Sequence, residues 1–278
     1  MTNAMTVQGL LAPAKVNLAL HVTGQRADGY HLLDSLVVFA DRGDRVSVTL
    51  SDAYEMTVSG PRSAGVPAGE TNLCLRAARL AGQPCRIHLE KHLPSEAGIG
   101  GGSSDAAAVL RALADLGTPI PGGTEVLGAD LPVCLSPRAA RMQGVGEQVS
   151  PAPILPPLPA LLVNPGRPVA TPAVFKRLEK RDNPGIGPLP APLATPEEAA
   201  LYLAGLRNDL EAPAMALEPA ISAVLGALAS LPLCLFSRMS GSGATCVALF
   251  PTPEAAGTAA RILAAAHPDW WICDTVLT

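Results

Sequence analysis

Short runs of alternating apolar and polar residues dominate the first ninety positions, which is the pattern of half-buried β-strands. They predict a strand over 15–23 that ends at Gly24, and further β-segments over 35–40, 45–50, 54–58 and 85–91, separated by Asp/Gly-rich turns. Residues 71–81 instead carry apolar side chains at i, i+3 and i+4, so we expect an amphipathic helix there. Strands and helices therefore mix in this part of the chain without a regular βαβ alternation.

A glycine-rich segment follows the strand predicted over 85–91. It reads Leu93-Pro-Ser-Glu-Ala-Gly-Ile-Gly-Gly-Gly-Ser-Ser104, and apolar residues recur after it at 106, 109, 110, 113 and 116. This pattern predicts a strand, a glycine loop and then a helix that is opened by a serine cap. Further along, residues 138–150 predict a short hairpin.

Prolines mark the middle of the chain. Of the 28 prolines, 13 lie between 151 and 196, interrupted by a short strand predicted over 160–164. We therefore expect an N-terminal domain over 1–150 and a C-terminal domain over 151–278. Beyond the prolines, the pattern predicts helices over 196–206, 218–230 and 253–266 and strands over 233–237, 245–250 and 270–274. The mixed order predicts an α+β protein.

Composition and charge narrow the class of function. The chain has 278 residues and a net charge of −4, with 48% hydrophobic and 16% charged residues, which excludes a disordered tail and a coiled coil. The acidic balance and the lack of basic runs argue against a nucleic-acid partner. Because no run reaches the roughly 18–20 apolar residues of a spanning helix, no membrane partner is expected either. No signal or transit peptide is visible, so we expect a cytoplasmic, bacterial protein.

The six cysteines do not have the spacing of a metal or redox motif. No two of them are separated by only two residues, which excludes zinc-ribbon and thioredoxin patterns. Apolar neighbours, as in Leu73-Cys-Leu75, predict buried free thiols. Free thiols fit a reducing cytosol.

The glycines at 98–102 indicate an anion-binding loop. Successive glycines let backbone N–H groups converge on an anion, and the start of the following helix adds partial positive charge. No Lys-Ser/Thr pair follows, as a Walker A loop would require, and Ser103 stands where a dinucleotide fingerprint needs glycine. The alternative is a plain connection, which is disfavoured because four glycines in five residues cost conformational entropy. Asp105 either stabilises the first helical turn and points away from the anion, or helps to hold magnesium.

Together with its flanks, the loop resembles the phosphate motif of the galactokinase, homoserine kinase, mevalonate kinase and phosphomevalonate kinase (GHMP) superfamily. That motif runs Pro-x-x-x-Gly-Leu-Gly-Gly-Gly-Ser-Ser-Asp/Asn, and residues 94–105 match it with Ile99 in place of leucine. Four further blocks resemble one member family, the 4-diphosphocytidyl-2-C-methyl-D-erythritol kinases: Ala12-Pro-Ala-Lys-Val-Asn-Leu18, Thr23-Gly-Gln-Arg-Ala-Asp-Gly-Tyr-His-Leu32, Leu127-Gly-Ala-Asp-Leu-Pro132 and Met239-Ser-Gly-Ser-Gly-Ala-Thr-Cys246.

The resemblance implies a fold and a reaction. The fold is α+β with two domains, the first like ribosomal protein S5 and the second ferredoxin-like, and with the active site in the cleft between them. The reaction is transfer of the ATP γ-phosphoryl group, with Mg²⁺, to the 2-hydroxyl of 4-diphosphocytidyl-2-C-methyl-D-erythritol, in the methylerythritol phosphate route to isoprenoids. The resemblance thus implies a small-molecule cytidyl substrate, and we expect a monomer or weak homodimer.

It also implies the catalytic and nucleotide-binding residues. Asp130 matches the general base, and Lys15 matches a lysine that keeps Asp130 ionised and neutralises charge on the transferring group. A turn aspartate before Pro132 and a solvated surface lysine are the open alternatives. The ATP-binding residues would be Pro94, Ser95, Glu96, Ala97, Gly98, Ile99, Gly100, Gly101, Gly102, Ser103 and Ser104. Ser103 and Ser104 can act as caps, phosphate donors or metal ligands, and Ser104 is our candidate for magnesium.

The substrate-binding residues follow in the same way. By resemblance they are Asn17, Tyr30, His31, Thr171, Phe175, Gly241 and Gly243, with Tyr30 and His31 on the cytosine and Phe175 closing over the base. Asn17 lies two residues after Lys15, on the same face of a strand, and can bind substrate or orient Asp130. Core packing for Phe175 and a tight β-turn at 241–243 remain open.

The sequence leaves two alternative functions open. A sibling kinase that acts on mevalonate, phosphomevalonate or homoserine would show no dependence on cytidine, and the Tyr30-His31 pair disfavours it. A non-catalytic nucleotide sensor needs only affinity, so the presence of both Lys15 and Asp130 disfavours that alternative.

Overall fold

The structure, a computed structural model, describes residues 5–152 and 154–278. The chain divides into two units, each assembled from separate stretches of sequence. The first unit takes residues up to 14, 42–95 and 100–137, and the second takes 15–41, 96–99 and 138–278. Two long strands, β1 (Thr6–Gln25) and β2 (His31–Leu50), contribute residues to both units.

The first unit is a small sheet with helices. Strand β3 (Glu55–Ser59) runs parallel to β4 (Cys85–Glu90), and β4 runs antiparallel to β2. Helices α1 (Leu73–Leu80) and α2 (Gly101–Asp115) pack on each other, and a 3-10 helix (Thr124–Leu127) and α3 (Leu131–Leu135) complete the unit. The side chain of Asn72 accepts a hydrogen bond from Cys74 N at 2.9 Å, which caps α1 where the apolar pattern begins.

One strand replaces a predicted turn. The sequence predicts strands over 35–40 and 45–50 with a turn at Asp41-Arg-Gly-Asp44, but β2 runs unbroken through these residues. Gly43 lies so close to β1 that an added Cβ would stand 2.1 Å from the carbonyl oxygen of Ala12. This glycine therefore serves a close approach of two strands, and the expected turn is wrong.

The second unit contains a hairpin and a four-stranded antiparallel sheet. Strands β5 (Ala140–Gly144) and β6 (Gln148–Pro151) form the hairpin predicted over 138–150, and β5 pairs with β2. The strands β7 (Leu158–Asn164), β8 (Phe236–Met239), β9 (Cys246–Leu249) and β10 (Trp271–Leu277) pair in the order β10–β7–β9–β8. With a helix between β9 and β10 and helices between β7 and β8, this is the βαββαβ arrangement of a ferredoxin-like domain. The α+β expectation is confirmed.

The described residues of this unit form the helices α4 (Thr171–Lys176), α5 (Pro196–Ala204), α6 (Glu211–Leu217), α7 (Ala220–Ala229) and α8 (Pro253–Ala266). The helices predicted over 196–206, 218–230 and 253–266 are confirmed as α5, α7 and α8; α7 and α8 pack their apolar faces on the four-stranded sheet, and α5 contacts β8. The pattern does not predict α4 or α6, because six and seven residues are too few to show a helical period. Strand β8 begins at Phe236, since Leu233 lies in a turn with φ +61°.

The cysteines agree with most of what their apolar neighbours predict. All six cysteines are free; four are buried, whereas Cys234 and Cys273 are only partly covered. Expecting all six to be buried is therefore wrong for these two: Cys234 lies in the loop before β8, and Cys273 lies in β10. In the part of the chain that the structure describes, no helix is both long and apolar enough to cross a bilayer.

Candidate functional site

The first turn of α2 is built from the glycine loop. Gly100 is the N-cap residue in the left-handed conformation, φ +61°, and no side chain caps the helix. The expected serine cap is wrong, because Ser103 and Ser104 already lie inside the first turn. A helix without a side-chain cap leaves its first N–H groups open to a ligand, and the helix dipole favours an anion there. This turn therefore has the geometry of a phosphate site.

The Gly-Ala-Asp block at 128–130 packs against this turn. A Cβ added to Gly128 would lie 3.4 Å from Ser103 Oγ, which is ordinary van der Waals contact and shows how close the block lies to the helix. Asp130 is half-buried and stands immediately before α3. The structure thus places the predicted base and the phosphate-binding turn in the same unit.

Ser104 differs from Ser103 in its environment. Ser104 is fully buried, and its Oγ has no hydrogen-bond partner among the described residues, whereas Ser103 is partly exposed. An unpartnered hydroxyl oxygen is compatible with a ligand of Mg²⁺, which binds few protein oxygens and keeps waters and phosphates as its other ligands. Within residues 5–152 and 154–278, no group of three or more His, Cys, Asp and Glu could hold a metal by itself. The role of Ser104 stays a prediction.

Asp105, in α2, belongs to a buried ion-pair cluster with Lys91 and Asp44. Lys91 Nζ donates to Asp105 Oδ2 at 2.9 Å and also to Asp44 Oδ2. Asp44 Oδ1 accepts from the backbone N–H groups that follow, His92 N at 2.6 Å and Leu93 N at 2.9 Å. Burial raises the pKa of Asp105, and the neighbouring Asp44 carboxylate raises it further, while Lys91 opposes the shift. The side chain of Asp105 is hence held in a buried ion pair with Lys91, and its two expected roles stay predictions.

In the second unit, Lys15 and Asn17 lie side by side on β1. Both are buried, at 4% and 3% exposure, so the solvated-lysine alternative is excluded. Lys15 N donates to the carbonyl of Ile99 at 2.9 Å, which ties β1 to the glycine loop. Asn17 Nδ2 donates to Ser35 Oγ at 2.8 Å, whereas its Oδ1 has no partner among the described residues. That oxygen is available to a bound substrate.

The glycine loop and the loop over 239–243 pack backbone against backbone. A Cβ on Gly98 would lie 2.6 Å from Ser240 O and 2.7 Å from Gly243 O, and a Cβ on Gly241 would lie 2.8 Å from Gly98 O. Ser240 Oγ joins the two loops by donating to Gly98 O at 3.0 Å and accepting from Asn17 N at 3.0 Å. These glycines permit loop–loop contact, a use that sequence reasoning did not anticipate.

Replacing Gly98 by alanine should therefore destabilise the protein by at least about 1–3 kcal/mol, the usual cost of a strained backbone. The new Cβ would overlap backbone atoms of Ser240 and Gly243, and φ at this position is +73°. Thermal unfolding measures the effect. Gly102→Ala is the matched control, because a Cβ there meets only Leu73 Cδ1 at 3.5 Å, an ordinary contact. Equal unfolding midpoints for the two variants would contradict the packing argument.

An aromatic pair lies in the same unit. The rings of His31 and Phe175 stack with centroids 4.6 Å apart, although 144 residues separate them. His31 Nε2 is buried without a partner among the described residues, and Tyr30 beside it is 65% exposed. Burial and the Arg181 charge lower the pKa of His31, which keeps the ring neutral at pH 7. The pair offers a stacking face and one open nitrogen, which suits a nucleobase.

Helix α4 connects this pair to the loop over 239–243. Thr171 Oγ1 and Ser242 Oγ are hydrogen-bonded at 2.7 Å, and Phe175 lies one turn further along the same helix. Thr171, Phe175, Gly241 and Gly243 are thereby brought together, as the resemblance implies. The roles of these residues in binding stay predictions.

Sequence reasoning missed a block of polar residues at 207–211, Arg-Asn-Asp-Leu-Glu. Asp209 Oδ2 accepts from Val22 N at 2.7 Å, and Glu211 Oε2 accepts from Met239 N at 2.7 Å. The signal that could have found them is the cluster of charged and amide side chains immediately before a short apolar helix. Such residues are rarely buried unless they hold backbone groups in place.

Comparison with known proteins adds the family. The models described as "GHMP kinases N terminal domain" and "GHMP kinases C terminal" match residues 72–129 and 193–269, respectively. These matches lie on either side of residue 150, and the domain boundary expected there stays a prediction.

Curated bacterial relatives match almost the whole chain. A protein of Dinoroseobacter shibae named 4-diphosphocytidyl-2-C-methyl-D-erythritol kinase is 58% identical over 271 residues, covering 96% of this chain and 93% of the relative. A protein of the same name from Cereibacter sphaeroides is 56% identical over 269 residues, covering 94% of this chain and 96% of the relative.

Solved structures agree with these relatives. A crystal structure of 4-(cytidine 5'-diphospho)-2C-methyl-D-erythritol kinase superposes with a TM-score of 0.77 at 38% identity, covering 98% of this chain and 99% of that one. A homoserine kinase from Cytophaga hutchinsonii superposes with a TM-score of 0.67 at 20% identity, covering 100% of this chain and 95% of that one, which shows a shared fold alone.

Proposed function

Because the chain belongs to the 4-diphosphocytidyl-2-C-methyl-D-erythritol kinase family, within the GHMP kinases, we propose that it phosphorylates the 2-hydroxyl of this cytidylyl substrate. The phosphate donor is ATP, as in the other kinases of the family. The product would be a precursor in the methylerythritol phosphate route to isoprenoids. A cytosolic location and a monomeric or weakly dimeric state are part of the proposal.

The observation that carries the choice of acceptor is the stack of His31 on Phe175. Two aromatic rings at 4.6 Å, with the exposed Tyr30 beside them, make a platform for a flat ring. Neither mevalonate, phosphomevalonate nor homoserine contains such a ring, so a sibling kinase would have no use for the platform. The cytosine of the cytidylyl substrate can stack there and satisfy the open His31 Nε2.

In the proposed reaction, the substrate 2-hydroxyl oxygen attacks the γ-phosphorus of ATP, the bond to the β-phosphate oxygen breaks, and ADP leaves. Asp130 accepts the hydroxyl proton, and Lys15 neutralises charge on the phosphoryl group as it transfers. The transition state is loose, so positioning and charge neutralisation supply most of the catalysis.

The first turn of α2 supplies backbone N–H groups to the phosphates of ATP. Residues 100–104 would hold the charged end of the nucleotide at the helix N-terminus, where the dipole is favourable. Mg²⁺, with Ser104 Oγ as our candidate protein ligand, would neutralise charge on the β- and γ-phosphates when bound. Asn17 would hydrogen-bond the substrate through its open Oδ1.

A coupled assay of ADP release with purified protein tests the proposal. Four acceptors are compared in the presence of ATP and Mg²⁺: the cytidylyl substrate, mevalonate, phosphomevalonate and homoserine. Turnover with the cytidylyl substrate alone is the expected result. Turnover with another acceptor would favour a sibling kinase, and ATP binding without turnover on any acceptor would favour a nucleotide sensor.

Replacing His31 by alanine should raise KM for the cytidylyl substrate by about 10-fold, the combined worth of an aromatic stack and a hydrogen bond. The value of kcat should change little, because His31 contacts the base and not the reacting atoms. Steady-state kinetics with varied acceptor measures both constants. His88→Ala is the control, since His88 is an exposed histidine on β4. An unchanged KM for His31→Ala would remove His31 from the base site.

A further inference from the structure

The side chain of Asn208 donates hydrogen bonds to the loop over 239–243. The residue is 8% exposed and lies two positions before Leu210, the N-cap residue of α6. Its Nδ2 donates to the carbonyl of Met239 at 2.8 Å and to the carbonyl of Gly241 at 2.9 Å. Its Oδ1 accepts from Leu210 N at 3.0 Å, which fixes the orientation of the amide. Both donor hydrogens are therefore directed at loop carbonyls.

These bonds determine where the loop N–H groups point. In a trans peptide the C=O and N–H groups point in opposite directions. Because the carbonyl of Gly241 faces Asn208, the N–H of Ser242 in the same peptide faces away from it. The carbonyl of Ser240 accepts from Gly243 N at 3.0 Å, so the N–H of Gly241 is likewise turned outward.

The two outward N–H groups lack partners among the residues that the structure describes, although the loop is buried and Ser242 is only 9% exposed. Buried N–H groups in proteins are rarely left unpaired, so a ligand or water must complete them. Successive N–H groups next to a left-handed glycine form a concavity that binds anions, and φ at Gly241 is +55°.

The anion is identified by what lies beside the loop. Ser242 is hydrogen-bonded to Thr171, and α4 carries Thr171 and the Phe175 ring one turn apart. When the base of a ligand stacks on the His31–Phe175 pair, the chemical groups attached to that base therefore lie near this loop. In a cytidylyl substrate, those groups are the ribose and then the diphosphate.

We infer that Asn208 is a positioning residue that aims the N–H groups of Gly241 and Ser242 at the diphosphate of the substrate. The inference rests on the proposed function, because it takes the cytidylyl group as the ligand. Asn208 touches neither substrate nor ATP in this arrangement, and it acts only through the orientation of the loop.

The test replaces Asn208 by aspartate, which keeps the shape but cannot donate to the two carbonyls. Inhibition by cytidine diphosphate and by cytidine is measured for wild type and variant, together with KM for the cytidylyl substrate and for ATP. We expect N208D to bind cytidine diphosphate about 10-fold more weakly or worse, since hydrogen bonds to a charged group are lost. Binding of cytidine and KM for ATP should stay within about 2-fold of wild type, on the same reasoning that no bond to either is lost.

Two further variants keep the test decisive. Asn183→Asp is the matched control, because Asn183 is a partly buried amide in the same unit that bonds to Lys180 O and Asp209 and not to the loop. If Asn208→Asp does not fold, as judged from thermal unfolding, Asn208→Ser replaces it, since serine can donate to one of the two carbonyls. The serine variant is expected to show a smaller selective loss of cytidine diphosphate binding.

A purely structural role would weaken cytidine and cytidine diphosphate to the same degree, and this result would overturn the inference, as would unchanged binding of both. Failure of the proposed function gives a different result. In that case the wild-type protein itself would neither bind cytidine diphosphate nor phosphorylate the cytidylyl substrate.

Discussion

Replacing Asp130 by alanine is expected to lower kcat by about 10²–10⁴, the usual contribution of a general base. In the proposed reaction the carboxylate accepts the proton of the attacking hydroxyl, and without it the hydroxyl must attack while still protonated or lose its proton to water. The KM values for ATP and for the acceptor should change far less. Steady-state kinetics with the cytidylyl substrate, at saturating ATP and Mg²⁺, measures the effect.

Two variants control this experiment. Asp130→Asn keeps the size of the side chain at the N-terminal boundary of α3, so it separates the lost base from altered packing. Asp52→Ala removes an exposed carboxylate from the same unit and should leave turnover unchanged. Turnover of Asp130→Ala at the wild-type rate would remove Asp130 from the mechanism and leave it as a turn residue before Pro132.

Replacing Lys15 by alanine is expected to lower kcat by about 10²–10³, as is typical when one group that stabilises developing charge is removed. Lys15 is buried at 4% exposure, so its charge acts in surroundings where screening by water is weak. Single-turnover measurement of phosphoryl transfer, with enzyme in excess over the acceptor, isolates the chemical step from product release.

Loss of a buried lysine also changes packing, so thermal unfolding is measured alongside. Lys15→Met fills most of the same space without the charge, and it should lose kcat as severely as Lys15→Ala while unfolding at a higher temperature. Lys180→Ala removes an exposed lysine and is the control for net charge. A change confined to KM in both Lys15 variants would assign Lys15 to binding alone.

The apolar pattern predicts most elements because their signals are local. Helices α1, α2, α5, α7 and α8 all have eight or more residues, enough to show a helical period in the sequence alone. The hairpin of β5 and β6 likewise follows from a short alternating stretch with two glycines at its turn. Helices α4 and α6 escape prediction for the opposite reason, because neither completes two turns.

Glycine is where sequence reasoning errs most. The pattern assigns Gly43 to a turn, yet Gly43 lies within β2, and it does not anticipate that Gly98 packs against the loop over 239–243. Both positions are set by backbone atoms that are 31 and more than 140 residues away in sequence. No pattern of neighbouring residues carries that information.

The sequence by itself determines the glycine-rich loop before a helix, the order of the motif blocks and, through them, the family. Glycine spacing and the adjoining helix are enough, since the chemistry of a phosphate cradle is local. Only the tertiary structure decides the partners of the polar side chains: Asp105 with Lys91, His31 with Phe175 and Asn208 with the loop over 239–243. Two of these pairings join residues more than thirty positions apart, and such contacts exist only after distant segments pack and exclude water from the groups between them.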